Sequence, residues 1–157
     1  MEHARKEHST SHYRGLILMA ILSFVAMYAL MYAMVDRFAN VLPNLNQAYM
    51  AGLMAAPMVL IELLVMRAMY RDPRVNAVVI AASVIVFLGC FAAIRAQAGI
   101  SDKEFLRSMI PHHAGAILMC EQSSIRDPAI KDLCERIRAS QQAEIEQMKE
   151  KLHELGH

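Results

Sequence analysis

Apolar residues along this chain fall into three long runs, with the polar residues gathered at the two ends and into two short breaks. Gly15 to Val35 carries no charged residue and stops at Asp36-Arg37. A second run extends from Ala48 to Met66, interrupted by Pro57 and Glu62, and a third, Val75 to Ile94, is again uncharged. A helix of about 20 apolar residues crosses the hydrocarbon core of a bilayer. The pattern predicts a three-span membrane domain over 15–94, with helices at 15–35, 48–66 and 75–94, behind a polar N-terminal tail at 1–14. The first run is too long for the apolar part of a signal peptide and lacks a following small-residue cleavage site, so it reads as an uncleaved anchor.

From residue 95 the chain turns polar and the apolar positions recur at helical spacing. Ile100-Ser101-Asp102-Lys103-Glu104-Phe105 is a helix start: Ser101 caps, Glu104 completes a capping box, and Ile100 and Phe105 form a hydrophobic staple. Leu106, Ile110, His113, Ile117 and Cys120 share one face. Pro111 removes a backbone donor and predicts a kink at the turn carrying His112 and His113. The helix is expected to end near Ser124. Asp127-Pro128 starts another, with Asp as cap and Pro at the first helical position. Its stripe is Ile130, Cys134, Ile137, Gln141, Glu144, Met148, Leu152 and Leu155, and Gly156 stops it. The short connection predicts an antiparallel hairpin over 95–157. Equal spacing from Asp127 sets His113 opposite Gln141, Ile110 opposite Glu144, Leu106 opposite Met148 and Cys120 opposite Cys134.

The fold class is therefore all-α: three transmembrane helices followed by an antiparallel helical hairpin. Arg5, Lys6 and Arg14 in the tail and Arg67, Arg71 and Arg74 in the second break stay on the cytoplasmic side, against Arg37 alone in the first break. The N-terminus is then inside and the hairpin extracytoplasmic, which in a bacterium means the inner membrane and the periplasm. A hairpin this small has little core of its own. A homodimer would complete a four-helix bundle; the membrane helices are the other candidate cover. Composition agrees with a membrane chain: 56% of residues are hydrophobic and 20% charged. A formal net charge of +1 excludes a polyelectrolyte partner such as nucleic acid.

The chemistry lies in Met109-Ile110-Pro111-His112-His113, with Met119 a few turns on and Met148 in the next helix. Thioether plus imidazole suits Cu(I) above other biological metals. Adjacent helical residues point about 100° apart, so two geometries are open. A distortion at Pro111 brings both histidines inward, or His113 is buried and His112 serves a second subunit. A buried band of His, Gln and Glu costs stability unless satisfied, as at a site. Cys120 and Cys134 are a possible disulfide or a pair of soft thiol ligands. Met50, Met54, Met58, Glu62 and Met66 recur every fourth residue in the second run. Packing explains the methionines, but an intramembrane carboxyl is usually functional, so a secondary metal path is possible there. Met27, Met31 and Met34 line the outer end of the first run similarly. His3, His8 and His12 belong to a solvated tail, and His153 and His157 to a fraying end.

The segment Phe105-Leu106-Arg107-Ser108-Met109-Ile110-Pro111-His112-His113, with Ala116-Ile117-x-Met119 and the downstream Gln141-x-x-Glu144-Ile145-x-x-Met148, resembles the signature of the bacterial "domain of unknown function 305" family. The likeness covers about residues 101–152, and Pro43-Asn44-Leu45-Asn46-Gln47 looks like that of membrane-anchored members. The resemblance implies a ferritin-like helical bundle and periplasmic copper or silver binding linked to metal tolerance. Its implied ligands are Met109, His112, His113, Met119 and Met148, with Glu144. A departure is that this tail holds two helices where a bundle needs four.

The expected function is membrane-anchored copper or silver binding for sequestration or hand-over to metal-exporting or metal-carrying proteins. No catalytic constellation is visible: the Glu-x-x-His spacing of Glu150 and His153 lacks the partner set of a ferritin-like oxidase, so the chain is not read as an enzyme. One alternative is a Cu(I) transporter using the Met face of the second span, which loosely resembles the Met-x-x-x-Met pair of three-span eukaryotic copper-uptake proteins in Met50 and Met54. The other is a structural dimerisation hairpin in which the histidines are satisfied core residues.

Overall fold

In the computed structural model residues 2–156 are described, with side chains from His12 to Gly156. All regular structure among them is helical. The helices are α1 (Glu2–Leu30), α2 (Leu45–Val65), α3 (Pro73–Ala96), α4 (Asp102–Gln122) and α5 (Pro128–Glu154), with short 3₁₀ turns at Met31–Met34 and Phe38–Asn40. Three helical stretches are long and apolar enough to cross a membrane: His12–Met34, Leu45–Val65 and Pro73–Ala96. Each starts a few residues before the corresponding apolar run. A helix begins at its cap rather than at its first apolar residue: the Asn44 side chain accepts from Gln47 N (3.0 Å), and that of Asp72 from Arg74 N (2.9 Å) and Val75 N (3.2 Å).

The described chain divides into two compact units. One holds residues up to Leu30 and Ala48–Ala98. Here α2 presents its small residues, with Ala51, Gly52, Ala55 and Ala56 buried. Small residues let helix backbones approach where no water drives them together. A side chain at Gly52 would have its Cβ 2.8 Å from Cys90 Sγ of α3 and 3.9 Å from the Phe24 ring of α1. A polar cluster closes one end. Tyr13 OH donates to Asn76 Oδ1 (2.8 Å), and Asn76 Nδ2 donates to the Tyr70 carbonyl (2.8 Å).

The second unit joins Met31–Gln47 to Gly99–His157. Its core is Ile110, Ala114 and Ile117 of α4 with Ile145 and Leu152 of α5, and Val35, Leu42, Leu106 and Met148 pack against it. The segment between the first two apolar runs thus supplies part of the cover that the stripe on α4 and α5 needs. Polar ties accompany the packing. Leu45 N donates to Glu104 Oε2 (2.8 Å), Asn46 Nδ2 to Ser108 Oγ (3.3 Å), and Lys149 Nζ to Asn40 Oδ1. Ser101 caps α4, its hydroxyl accepting from Glu104 N. The Glu104 carboxylate, expected to close a capping box, is instead turned to the first turn of α2.

The helix α4 runs unbroken through Pro111, the position of the predicted kink. Proline deprives the carbonyl four residues earlier of its donor. That carbonyl belongs to Arg107, and Asn44 Nδ2 donates to it at 3.5 Å. Further along, α4 ends at Gln122 and α5 begins behind an Asp127 cap that accepts from Ala129 N (2.8 Å) and Ile130 N (3.0 Å).

Candidate metal-binding site

His113 is where α4 meets α5. The imidazole is buried, 7% exposed. Its Nδ1 lies 2.9 Å from the Met109 carbonyl, one turn back on α4, and its Nε2 lies 2.8 Å from Glu144 Oε2 of α5. A carbonyl oxygen only accepts, so Nδ1 donates to it, and a metal at Nε2 would take the place of the proton that Nε2 shares with Glu144. Equal spacing had set Gln141 opposite His113; the observed partner lies three residues further on. Helical side chains lean toward their own N-terminus. The His113 ring therefore sits at the level of Ile110, whose expected partner was Glu144.

The Glu144 carboxyl is held below its ordinary value of 4.5, first by the Ser140 hydroxyl, which donates to Oε1 at 2.7 Å, and next by its hydrogen bond to His113. Ser140 was not singled out in the sequence, although its spacing of four residues from Glu144 puts both on one helix face. Met148, partly buried, packs against the same core, and Met109 is partly buried.

The other implied ligands point elsewhere. His112 is exposed, and its ring centre lies 6.2 Å from that of His113. Met119 is also exposed. The 100° step between neighbours is kept through Pro111, so of the two sequence geometries the structure has the one with His113 inward and His112 outward. Cys120 and Cys134 are joined as a disulfide, with Cα atoms 5.3 Å apart. No three His, Cys, Asp or Glu side chains among the described residues form a metal-sized group.

In α2, Met50, Met54 and Met58 are exposed, on a face turned from the buried Ala51, Ala55 and Val59. Glu62 is half-buried and accepts from Tyr70 OH at 3.3 Å. Burial, then the nearby Glu62 charge, raise the Tyr70 hydroxyl above its ordinary 10.0. His153 lies at the end of α5, His12 in α1, and the side chains of His3, His8 and His157 lie outside the described residues.

These features define a class: a chain whose regular structure among the described residues is all helical, with three strongly apolar helices and, between two more, a buried histidine paired with a half-exposed carboxylate and flanked by methionines. The family described as "Domain of unknown function (DUF305)" matches residues 91–152. An uncharacterized protein of Acanthamoeba polyphaga mimivirus is 34% identical over 142 residues, which cover 88% of this chain and 91% of that relative. The chain belongs to this family. That relative is viral rather than bacterial, and no solved structure matches the chain.

Proposed function

We propose that this is a membrane-anchored copper- or silver-binding protein that sequesters the ion or hands it to a metal-exporting or metal-carrying partner. The observation that carries the reading is His113: a buried imidazole oriented by the Met109 carbonyl, with Nε2 facing a carboxylate at 2.8 Å. A backbone carbonyl on one ring nitrogen is the usual way a protein orients a ligating histidine. Methionines in the same unit add soft donors that favour Cu(I) and Ag(I) over Zn(II).

Membrane anchoring has a second support besides the apolar runs. Residues 31–47 and 99–157 form one compact unit although α2 and α3 intervene. Two crossings return the chain to the side it left, so both parts lie on one face of the bilayer if α2 and α3 each span it. Basic residues put that face outside. The two helices α4 and α5 then form an extracytoplasmic hairpin, the half-bundle of a ferritin-like assembly.

The test is titration of the full chain in detergent with Cu(I), Ag(I) and Zn(II). Wild type binds the monovalent ions more tightly, and His112→Ala/His113→Ala weakens Cu(I) binding by about tenfold or more. Equal Cu(I) affinity in the two proteins removes the site from this motif. The transporter reading draws on the exposed Met50, Met54 and Met58 face. Cu(I) uptake into vesicles, abolished by Met54→Leu, separates it from binding alone.

A further inference from the structure

The implied ligands split between two faces of α4, and the outward face has a neighbour in the 3₁₀ turn Met31–Met34. His112, Gly115 and Met119 are spaced three and four residues apart. At 100° per residue they fall within about 60° of one another on the helix surface. The central position is glycine, and Met34 of the 3₁₀ turn lies over it. A Cβ added at Gly115 would meet the Met34 carbonyl at 3.4 Å and Met34 Cβ at 4.0 Å. Cβ atoms three and four residues apart on a helix are about 5–6 Å from each other. The root of the Met34 side chain is thus within side-chain reach of His112 on one side and Met119 on the other.

All three donors are accessible. Met34 is 53% exposed, Met119 52%, and His112 is exposed. At that exposure none of the three side chains is buried in the core of Ile110, Ala114, Ile117, Ile145 and Leu152. Two thioethers and one imidazole form a three-donor soft set, with the borderline imidazole the hardest member. None of the three side chains offers an oxygen ligand to a hard cation.

We propose a second monovalent soft-metal site, formed by Met34, His112 and Met119 around Gly115 and distinct from the His113–Glu144 pair. The inference rests on the copper or silver reading above. It adds a ligand from the 3₁₀ turn Met31–Met34, outside residues 91–152 that the family match covers. Loading this site joins the 3₁₀ turn Met31–Met34 directly to α4.

The experiment uses the full chain in detergent micelles with methionine methyl groups labelled with ¹³C and Ag(I) as the probe. In wild type two Ag(I) ions bind, and the Met34 and Met119 methyl signals shift together on loading. Met34→Leu, which keeps the side-chain volume, reduces the stoichiometry to one and leaves the Ag(I)-induced shifts of Met109 and Met148 intact. Met119→Leu, at an exposed position, does the same if Met34→Leu fails to fold. His113→Ala has the converse effect, sparing the Met34 and Met119 shifts. Unchanged stoichiometry and an unshifted Met34 methyl in a protein that still binds Ag(I) through His113 overturn the second site alone. Absence of all Ag(I) binding overturns both readings.

Discussion

At the residue scale the His113–Glu144–Ser140 chain sets an acid limit. Ser140 and His113 hold the Glu144 carboxyl below its ordinary 4.5. A carboxyl whose folded value is depressed adds stability above its unfolded value, and that contribution is lost as pH falls through the folded value. The link between α4 and α5 is therefore intact near neutrality and weakens below pH 4.5. Ser140→Ala removes the largest of the causes, so Glu144 titrates at higher pH and the acid loss begins earlier. Carboxyl-carbon NMR titration of wild type and Ser140→Ala checks this; a Glu144 that titrates at the ordinary value in wild type contradicts it. Sequence pattern could place His113 inward on the Ile110–Ile117 stripe. It could not name Glu144 as the partner, because facing backbone positions ignore the lean of helical side chains.

At the element scale α4 depends on a residue outside it. Asn44 caps α2 and donates to the Arg107 carbonyl that Pro111 leaves without its helical partner. Asn44→Ala should cost about 1–2 kcal/mol, the worth of a cap plus an unsatisfied carbonyl. Pro111→Ala restores the internal donor, so the cost of Asn44→Ala falls in that background. A double-mutant cycle by denaturation measures the coupling, and additive losses would show that Asn44 does not serve Arg107. The disulfide between α4 and α5 has a sequence separation of 14 residues. Closing a loop of that size stabilises by about 3 kcal/mol, and Cys120→Ser/Cys134→Ser should lose on that order. In the apolar unit, Gly52→Ala drives a methyl against Cys90 Sγ. Overpacking of this kind costs about 1–3 kcal/mol, and Cys90→Ala in the same chain relieves it. The helices and their caps were legible from Ser101, Asp127-Pro128 and the uncharged runs, since caps and periodicity are local. The tie from Glu104 to Leu45 was not, because nothing in the pattern within 101–105 distinguishes a carboxylate that closes its own box from one that caps another helix.

At the scale of the whole molecule, sequence order suggests a membrane region followed by an independent tail. The packing instead builds one unit from 31–47 and 99–157. Residues 95–157 alone would expose the sides of Ile110, Ile117, Ile145 and Leu152 that Val35 and Leu42 partly cover. The isolated tail should therefore be less cooperatively folded than the same residues in the full chain, as amide exchange in the two would show. Equal protection would make the inter-run segment dispensable. The same cover weakens the need for a second copy, though Ile130 and Leu133 remain exposed on α5 and are the residues a homodimer would bury. Sedimentation of the full chain with Ile130→Glu/Leu133→Glu tests it: a dimer in wild type becomes a monomer.

The discontinuity of that unit has a consequence for biogenesis. Residues 31–47 are synthesised well before α4 exists, so Asn40, Asn44 and the apolar Val35 and Leu42 wait without their partners while α2 and α3 are made. Assembly of that unit is then the last event, and it reports on everything before it. If α2 and α3 span a bilayer, a chain in which α3 fails to insert, or inserts backwards, leaves the early segment and the late helices on opposite faces of it. Such a chain displays an unpaired apolar surface to proteases, so the fold contains its own check on correct threading.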